Sequence, residues 1–455
     1  MRLSPRLLSL GIACLLATQA QAETVVLEGA RVFDGNRDAG VQTLVITDGV
    51  ITTLGKAPAT LPGDAKRIDY RGRWIIPGLV SNHSHLGNTN GTEHGDRHYT
   101  RAVVLRDLKQ FQRFGVTTLT ALGMNGPAFF ALRKEVHDQP RLGAQLYGAG
   151  AGIGVPEGAP PAGPMGLASD PVARPATPEQ ARAAVRQQKA DGVDLIKLWV
   201  DNLGDKAPIM PEAIYQAAIA EAHAQDLKVA AHIHDQAPAA ELVASGVDII
   251  GHGIRDTPVA PTLVQAMHDA GTWYIPTLTI DENTYAFAEH PQWLQDRFIQ
   301  AALPASVKAQ WSAPGWADTQ RASAGAEKAR RDVAMNLRNL RTLHDGGVRI
   351  GFGTDAGAMP SRVIGYSEHR ELELMTQAGF TAQQALTTAT RDAAQLLGLD
   401  DRGTLAAGKR ADLVVLEADP LADIRNTRGI QAVWQAGQQV AGPVLAMDHA
   451  PVAAD

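Results

Sequence analysis

The chain has 455 residues, of which 45% are hydrophobic and 20% are charged, and its formal net charge at pH 7 is −6. This is the composition of a folded globular protein with room for one large domain and a smaller one, so it excludes a disordered chain. The acidic balance, with no basic patch that carries interleaved aromatic residues, argues against a nucleic-acid partner.

Residues 1–22 have the pattern of a secretory signal peptide. Two arginines precede an apolar run over 7–16, and residues 20–22 form a small-x-small cleavage site. The run is too short to serve as a membrane anchor, so we expect a periplasmic or secreted protein. The single cysteine, Cys14, would leave with this segment. Lipidation of Cys14 is an alternative, but the apolar run continues past it.

Both ends of the mature chain are rich in short β segments. Between 23 and 77 these segments alternate with glycine turns and lack companion helices, which predicts a small antiparallel unit. Similar segments return after a last predicted helix, at 412–416, 430–434 and 438–440. We therefore expect 23–77 and 403–444 to form one small β-sandwich domain, followed by a tail at 445–455.

Residues 78–402 alternate between strands and amphipathic helices. The predicted strands are 79–85, 116–123, 145–150, 195–201, 228–234, 247–253, 273–279 and 350–356. The predicted helices include 101–114, 178–190, 211–225, 237–245, 261–270, 328–344 and 381–397. Eight strands in alternation with helices predict an α/β fold, a (β/α)₈ TIM barrel.

Two connections are longer than a bare barrel needs. Residues 150–177 are rich in glycine, proline and alanine, and residues 280–325 carry several aromatic side chains. Both follow the carboxyl ends of strands, where barrel enzymes build their sites, so each is a candidate substrate wall. The alternative is aromatic packing that holds an inserted helical segment to the barrel.

The strand ends carry potential metal ligands. His83 and His85 end the first barrel strand, and residues i and i+2 of a strand face the same side. Two imidazoles together suit a transition metal, although such a pair is also found as ordinary core or surface histidines. Other strand ends offer Lys197, His232, His234, His252 and Asp355. Because parallel strand ends converge in a barrel, these residues predict a common metal pocket.

This pattern resembles the amidohydrolase superfamily of metal-dependent hydrolases over essentially the whole mature chain. The motifs that carry the resemblance are 76–85, 115–118, Ile196-Lys197, His232, 251–253, 353–355 and 403–413. The chain is most similar to the prolidase-like and imidazolonepropionase-related branch. Asn82 departs from the aspartate that many members have before the His-x-His pair.

The resemblance implies two divalent metal ions, expected to be Zn²⁺, and a carboxylated lysine that bridges them. By analogy, the more buried ion would be held by His83, His85 and Asp355, the more exposed ion by His232 and His252, and both by carboxylated Lys197. The bridging hydroxide would attack a carbonyl, and Asp355 would act as the catalytic proton carrier. His234 faces the same side as His232, so it either replaces that ligand or contacts substrate.

The predicted function is an exported binuclear amidohydrolase that cleaves an amide or peptide-like bond of a small molecule, such as a dipeptide or an N-acyl amino acid. A lactonase, esterase or phosphotriesterase could use the same two ions. A mononuclear deaminase would give Lys197 no metal role. A metal-free binding protein is a further alternative, but no ligand position is missing. The resemblance also allows a homo-oligomer.

Overall fold

The computed structural model describes residues 23–444, which form a mixed α/β protein. The strands are β1 (Thr24–Phe33), β2 (Asp38–Thr47), β3 (Val50–Gly55), β4 (Lys66–Asp69), β5 (Trp74–Pro77), β6 (Leu79–Ser84), β7 (Thr89–Asn90), β8 (Glu93–His94), β9 (Val116–Ala121), β10 (Gln145–Gly148), β11 (Ile196–Trp199), β12 (Val229–His232), β13 (Ile249–Ile250), β14 (Trp273–Tyr274), β15 (Arg349–Ile350), β16 (Leu413–Leu416), β17 (Ile430–Gln435) and β18 (Gln438–Ala441).

The helices lie mostly between the central strands. They are α1 (Arg101–Arg113), α2 (Phe129–Asp138), α3 (Pro178–Asp191), α4 (Glu212–His223), α5 (Gln236–Ala244), α6 (Pro261–Ala270), α7 (Thr279–Glu282), α8 (Ala286–Glu289), α9 (Arg297–Ala302), α10 (Ala305–Trp311), α11 (Trp316–Arg321), α12 (Ala324–Asp345), α13 (Tyr366–Gln377), α14 (Ala382–Thr387) and α15 (Ala393–Leu396). None of these described helices has the length and apolar character needed to cross a membrane. The predicted signal peptide, 1–22, and the tail, 445–455, lie outside the described residues.

The two ends of the described chain share one eight-stranded sheet. Its order is β18-β17-β16-β5-β1-β2-β3, and β4 pairs with β1. The antiparallel pairing of β16 with β5 places Leu413 opposite Pro77 and so joins the ends. The inward side chains, Leu27, Leu44 and Trp434 among them, form a separate apolar cluster.

The prediction of an antiparallel unit was wrong at β1. Gly29 is one of the glycines that were expected to form turns between the short β segments, but it adopts φ +78° inside a bulge of one ten-residue strand. The first half of β1 pairs in parallel with β4 and the second half in parallel with β5. The bulge lets one long strand continue where the glycine pattern indicated a break.

The central strands form two parallel sheets, β10-β9-β6 and β11-β12-β13-β14-β15. Parallel bridges join their edges, Ser84 with Ala356 on one side and Ile153 with Leu198 on the other. The arrangement is TIM-barrel-like. Apolar side chains of its strands and of the surrounding helices are buried in one main cluster. The paired strands are shorter than predicted. Of the predicted strand 350–356, for example, only Ile350 lies in β15, and Ala356 forms an isolated bridge.

Two helices had no counterpart in the prediction. Helix α2 follows β9, and α13 follows the loop after β15. Helix α13 carries buried glutamates, Glu368 and Glu371, on a charged sequence that does not show the usual apolar stripe. The segment 280–325 contains the short helices α7 to α11, and the predicted helix 381–397 is α14 and α15 joined by a π-helical turn.

Candidate metal centre

The carboxyl ends of β6 and β15 bring His83, His85 and Asp355 together. Their candidate ligand atoms all lie within 4.8 Å of one another, and all three side chains are buried. Oδ1 of Asp355 is 3.0 Å from Nε2 of His83 and 2.9 Å from Nε2 of His85. The two histidines are two residues apart on one strand, so both rings face the same carboxylate.

Backbone carbonyl groups orient both imidazole rings. Nδ1 of His83 donates to the Gly251 carbonyl over 2.6 Å, and Nδ1 of His85 donates to the Gly123 carbonyl over 3.2 Å. Since a carbonyl can only accept, each Nδ1 carries the hydrogen and each Nε2 is turned towards Asp355. This is the orientation that metal-binding histidines adopt. Burial, with a contribution from nearby Lys197, lowers the pKa of His83 to about 3, so this ring is neutral.

Asp355 is held in a tight turn. Its φ of +60° is unusual for a residue other than glycine. The backbone N–H groups of Thr354 and Asp355 both donate to the His83 carbonyl, over 3.0 and 2.9 Å. The Thr354 hydroxyl accepts from the Ala356 N–H and donates over 2.5 Å to the buried carboxyl group of Glu368. The turn is therefore anchored on both sides.

Arg362 is the cation next to Asp355. Its Nη1 donates to Oδ2 of Asp355 in a very short contact. Burial opposes ionisation, but Arg362 and the imidazoles of His85 and His83 hold the pKa of Asp355 well below its usual range. Asp355 is therefore a carboxylate at neutral pH.

His232 and His252 form the other side of the cluster. The ring of His252 lies 4.4 Å from that of His83 and 4.3 Å from that of His232, centroid to centroid. Nε2 of His232 donates to the Asp201 carboxylate over 2.8 Å, and Nδ1 of His252 is 2.9 Å from the Thr277 hydroxyl. One nitrogen of each ring thus contacts a neighbouring side chain. The other nitrogen, Nδ1 of His232 and Nε2 of His252, is left as a candidate metal ligand.

Lys197 lies within this group of side chains and is 1% exposed. Its Nζ has no hydrogen-bond partner among the described residues, and it lies 5.5 Å from the Trp199 ring centroid. Burial lowers the pKa of Lys197 to about 7, against the opposing effect of Asp355. In the parallel register Lys197 is opposite Ala230, two residues before His232.

These residues fit divalent metal ions. Within the described chain, Nε2 of His83 and Nζ of Lys197 are both buried without a hydrogen-bond partner, although His83 Nε2 is close to Asp355. Buried polar atoms are rarely left in this state unless another group uses them. Imidazole and carboxylate donors with hydrogen-bonded outer nitrogens are the donor set that Zn²⁺ prefers.

His234 lies outside the lining of the cavity next to this cluster. Its Nδ1 is 2.6 Å from the Asp235 carboxylate, and its Nε2 is 2.8 Å from the Lys328 amine and 3.5 Å from the Asp332 carboxylate. Burial opposes protonation, but Asp332 and Asp235 raise the pKa of His234. The structure thus separates the two histidines of the His232–His234 pair.

Asn82 links β6 to neighbouring parts of the fold by hydrogen bonds. Its Nδ2 donates over 2.9 Å to the Ala393 carbonyl, and its Oδ1 accepts from the Phe352 N–H over 3.3 Å. Both contacts are backbone contacts that join β6 to neighbouring elements. The amide thus makes structural contacts at the position where many superfamily members have an aspartate.

A cavity of about 160 Å³ opens next to the cluster. One wall is apolar and is formed by Met124, Ala159, Pro160, Pro161, Met165, Trp199, Leu203 and Ile280. The connection 150–177 supplies four of these residues, and the connection 280–325 supplies only Ile280. The aromatic residues of the second connection instead pack on one another, as Phe287 and Trp311 do at 4.5 Å between ring centroids.

Sequence reasoning missed several residues of this cavity. Trp199 lies two residues after Lys197 on the same strand, so its position could have been inferred from the strand period. Gly123 makes room for this ring, since a Cβ on Gly123 would lie 2.4 Å from Trp199. Arg362 gave no comparable signal, because its position depends on the loop after Asp355.

The family profile that matches this chain is that of the amidohydrolase family, over residues 74–440. The chain belongs to this family. The resemblance drawn from the sequence motifs is thus confirmed, and this amidohydrolase is a hydrolase that acts on carbon–nitrogen bonds. The family also supports divalent metal binding at the cluster of two histidines and one aspartate.

Three proteins illustrate the similarity. The amidohydrolase is 25% identical to an ochratoxinase of Aspergillus niger over 472 residues, which cover 94% of this chain and 89% of the ochratoxinase. It is 39% identical to an imidazolonepropionase of Deinococcus deserti over 104 residues, 22% of this chain and 26% of that protein. A crystal structure of a Bifidobacterium longum protein provisionally assigned as a prolidase matches with a TM-score of 0.74 and 28% identity, and the match covers 92% of this chain and 95% of that one.

Proposed function

We propose that this protein is an exported, binuclear amidohydrolase that cleaves the amide bond of a small molecule such as an N-acyl amino acid or a dipeptide. The observation that carries this proposal is the state of Lys197. Its amine is buried among imidazoles and a carboxylate without a hydrogen-bond partner in the described chain. An ammonium group has three donors and no acceptor, so it is costly to bury there and cannot bind a cation. Carboxylation would give it anionic oxygens.

The ligand sets follow from the two sides of the cluster. His83, His85 and Asp355 would hold one ion, His232 and His252 the other, and carboxylated Lys197 would hold both, with Zn²⁺ as the expected metal. When bound, the ions would lower the pKa of a water molecule and polarise the substrate carbonyl.

The remaining steps belong to the protein. The Asp355 carboxylate is ionised at neutral pH and would accept a proton from the attacking water and pass it to the leaving nitrogen. The bond between His232 Nε2 and Asp201 would keep that ring fixed and leave Nδ1 for a metal ion. The apolar wall that contains Met165 and Leu203 would exclude water and bind the hydrophobic part of the substrate.

The contacts of His234 favour His232 as the ligand. Both nitrogens of His234 face Asp235, Asp332 and Lys328, and the residue does not line the cavity. The buried amine of Lys197 also weighs against a mononuclear deaminase, in which that lysine would have no metal role.

The amide-bond assignment is supported by the relatives. One is an ochratoxinase and another is provisionally assigned as a prolidase, so amides with a carboxylate-bearing amino acid are the first substrates to test. Export is supported by the signal-like pattern of residues 1–22, after which the folded strand β1 starts at Thr24. N-terminal sequencing of the extracytoplasmic protein should find Glu23 first; retention of residues 1–22 on protein recovered from the cytoplasm would contradict export.

Metal analysis and a substrate screen test the main proposal. Protein produced with added zinc should contain two zinc ions per chain and should hydrolyse members of a panel of N-acyl amino acids and aminoacyl-proline dipeptides. Lys197→Ala should abolish hydrolysis, and acetate or propionate should restore part of it by replacing the missing carboxylate. Asp355→Asn should keep some metal but lose turnover.

Lys228→Ala provides the matched control. Lys228 immediately precedes β12, and its amine donates to the Leu396 carbonyl outside the cavity. This variant should keep both ions and its turnover. A protein that contains no zinc after supplementation, or a Lys197→Ala variant with full activity, would contradict the binuclear mechanism.

A further inference from the structure

Arg362 lies where two cavities meet. It lines the cavity next to the metal ligands and also a second cavity of about 60 Å³, which Arg106 and Gln110 line as well. No other described residue lines both cavities. The Arg362 side chain is 22% exposed, so a solute in either cavity can reach it.

The metal-site cavity offers an organic anion one cationic side chain. Of the residues that line it, Arg362 is the sole lysine or arginine and Asp355 the sole carboxylate. The other lining residues are the imidazoles of the cluster and apolar side chains. An anionic group that enters this cavity alongside the metal site therefore has Arg362 as its partner.

One edge of the Arg362 guanidinium is available. Nη1 donates to Asp355, while Nε and Nη2 make no hydrogen bond to any residue between 23 and 444. Nε and Nη2 form the side-on edge that binds a carboxylate through two parallel hydrogen bonds. Arg106 is different, because its nitrogens already bind Asp107, Asn90 and the Thr89 carbonyl.

We propose that Arg362 binds the α-carboxylate of the substrate, so that the enzyme selects N-acyl amino acids and dipeptides over neutral amides. In these molecules only the amide nitrogen and the α-carbon separate the scissile carbonyl from the carboxylate. A group that binds the carboxylate must therefore be adjacent to the hydrolytic residues, and Arg362 is in contact with Asp355. This inference rests on the function proposed above and assigns a specificity-determining residue to it.

A pair of substrates that differ only in the group on the α-carbon tests the proposal. N-acetyl-L-leucine carries the carboxylate, and N-acetyl-L-leucinol has a neutral CH₂OH group in its place. The zinc-loaded enzyme should prefer the first. Arg362→Gln should lower kcat/KM for N-acetyl-L-leucine by about 10- to 100-fold more than it lowers kcat/KM for the leucinol, which is the usual effect of losing a charge-assisted pair of hydrogen bonds. The preference of Arg362→Lys for N-acetyl-L-leucine should be intermediate, because lysine keeps the positive charge but lacks the two parallel N–H donors of the guanidinium.

Two controls make the result specific. Arg101→Gln removes one positive charge from an exposed arginine that pairs with Glu135, and it should leave the preference unchanged. Zinc content and melting temperature of each variant should match the parent. Equal losses for both substrates in Arg362→Gln would mean that Arg362 only supports Asp355, and the proposal would be overturned.

Calorimetric binding of N-acetyl-L-leucine and N-acetyl-L-leucinol to the zinc-loaded protein provides a second readout. A larger loss of affinity for N-acetyl-L-leucine than for the leucinol in Arg362→Gln supports the proposal even if neither compound is hydrolysed. Equal affinities of parent and variant for N-acetyl-L-leucine overturn it. Absence of hydrolysis of every amide tested would count against the proposed function instead.

Discussion

Replacing Lys197 by methionine should stabilise the chelator-treated protein and at the same time prevent binding of two metal ions. Methionine has nearly the length of the lysine stem and no charge, so it fills the same buried space. The amine that it removes has no hydrogen-bond partner among the described residues. Stability and metal binding should therefore change in opposite directions.

The magnitude follows from the pKa of this amine. Burial lowers the pKa of Lys197 from its ordinary value of 10.5 to about 7, while the unfolded chain keeps the ordinary value. The unfolded state thus binds more protons between these two values, and the stability of the parent protein rises with pH across that window. Below about pH 7 the buried amine costs about 5 kcal/mol, and methionine should recover an amount of that order.

Urea unfolding of chelator-treated protein at pH 6 and pH 10 measures this effect. The gain of Lys197→Met over the parent should be large at pH 6 and small at pH 10. Lys197→Arg, which cannot lose its proton, should be the least stable of the three at both pH values. A gain of the same size at both pH values would show that packing and not charge is responsible. Two zinc ions per chain in Lys197→Met would refute the bridging role.

Three further predictions concern residues around the site. Thr354→Val should lower the free energy of unfolding by about 1–3 kcal/mol, because the buried Glu368 carboxyl loses the hydroxyl that donates to it. The same variant should bind zinc more weakly. Thr354→Ser should restore both the melting temperature and the zinc affinity measured by metal titration. Gly123→Ala should lower the melting temperature and the activity, because its Cβ would lie 2.4 Å from Trp199 at a φ of +99°; unchanged values would mean that the ring moves freely. Burial raises the pKa of Glu371 to about 8, so the free energy of unfolding of the parent protein should fall as pH rises from about 4.5 to 8. Unfolding experiments on Glu371→Gln should show that this part of the pH dependence is lost.

The ligand cluster was the most predictable part of the molecule. His83 and His85 could be placed on one face from the period of a strand alone, and Asp355 could be brought to them because parallel strand ends converge. The length of each strand was less predictable. The residues that follow each paired stretch leave the regular strand conformation. Asp355, which has a positive φ, is an example.

Other features depend on tertiary contacts that a sequence pattern does not contain. Gly29 is compatible with a turn or a bulge, and pairing of β1 with both β4 and β5 decides between them. Helix α13 escaped prediction because its buried side chains include acids, whose hydrogen-bond donors lie on distant loops. Glu371, for example, accepts from the N–H groups of Leu278 and Thr279.

The structure divides reactivity and selectivity between different parts of the chain. The metal-ligating candidates lie at the ends of central strands, and the backbone carbonyls of Gly251 and Gly123, which follow β13 and β9, orient the rings of His83 and His85. The cavity wall comes largely from the connection 150–177 and from Arg362 in the loop after Asp355, whereas the aromatic connection 280–325 contributes little. Loops can change without disturbing the strand ends. Selectivity of this amidohydrolase should therefore respond to substitutions at Met165 or Arg362 much more than to substitutions at Trp311 or Trp316, which pack on each other away from the cavity.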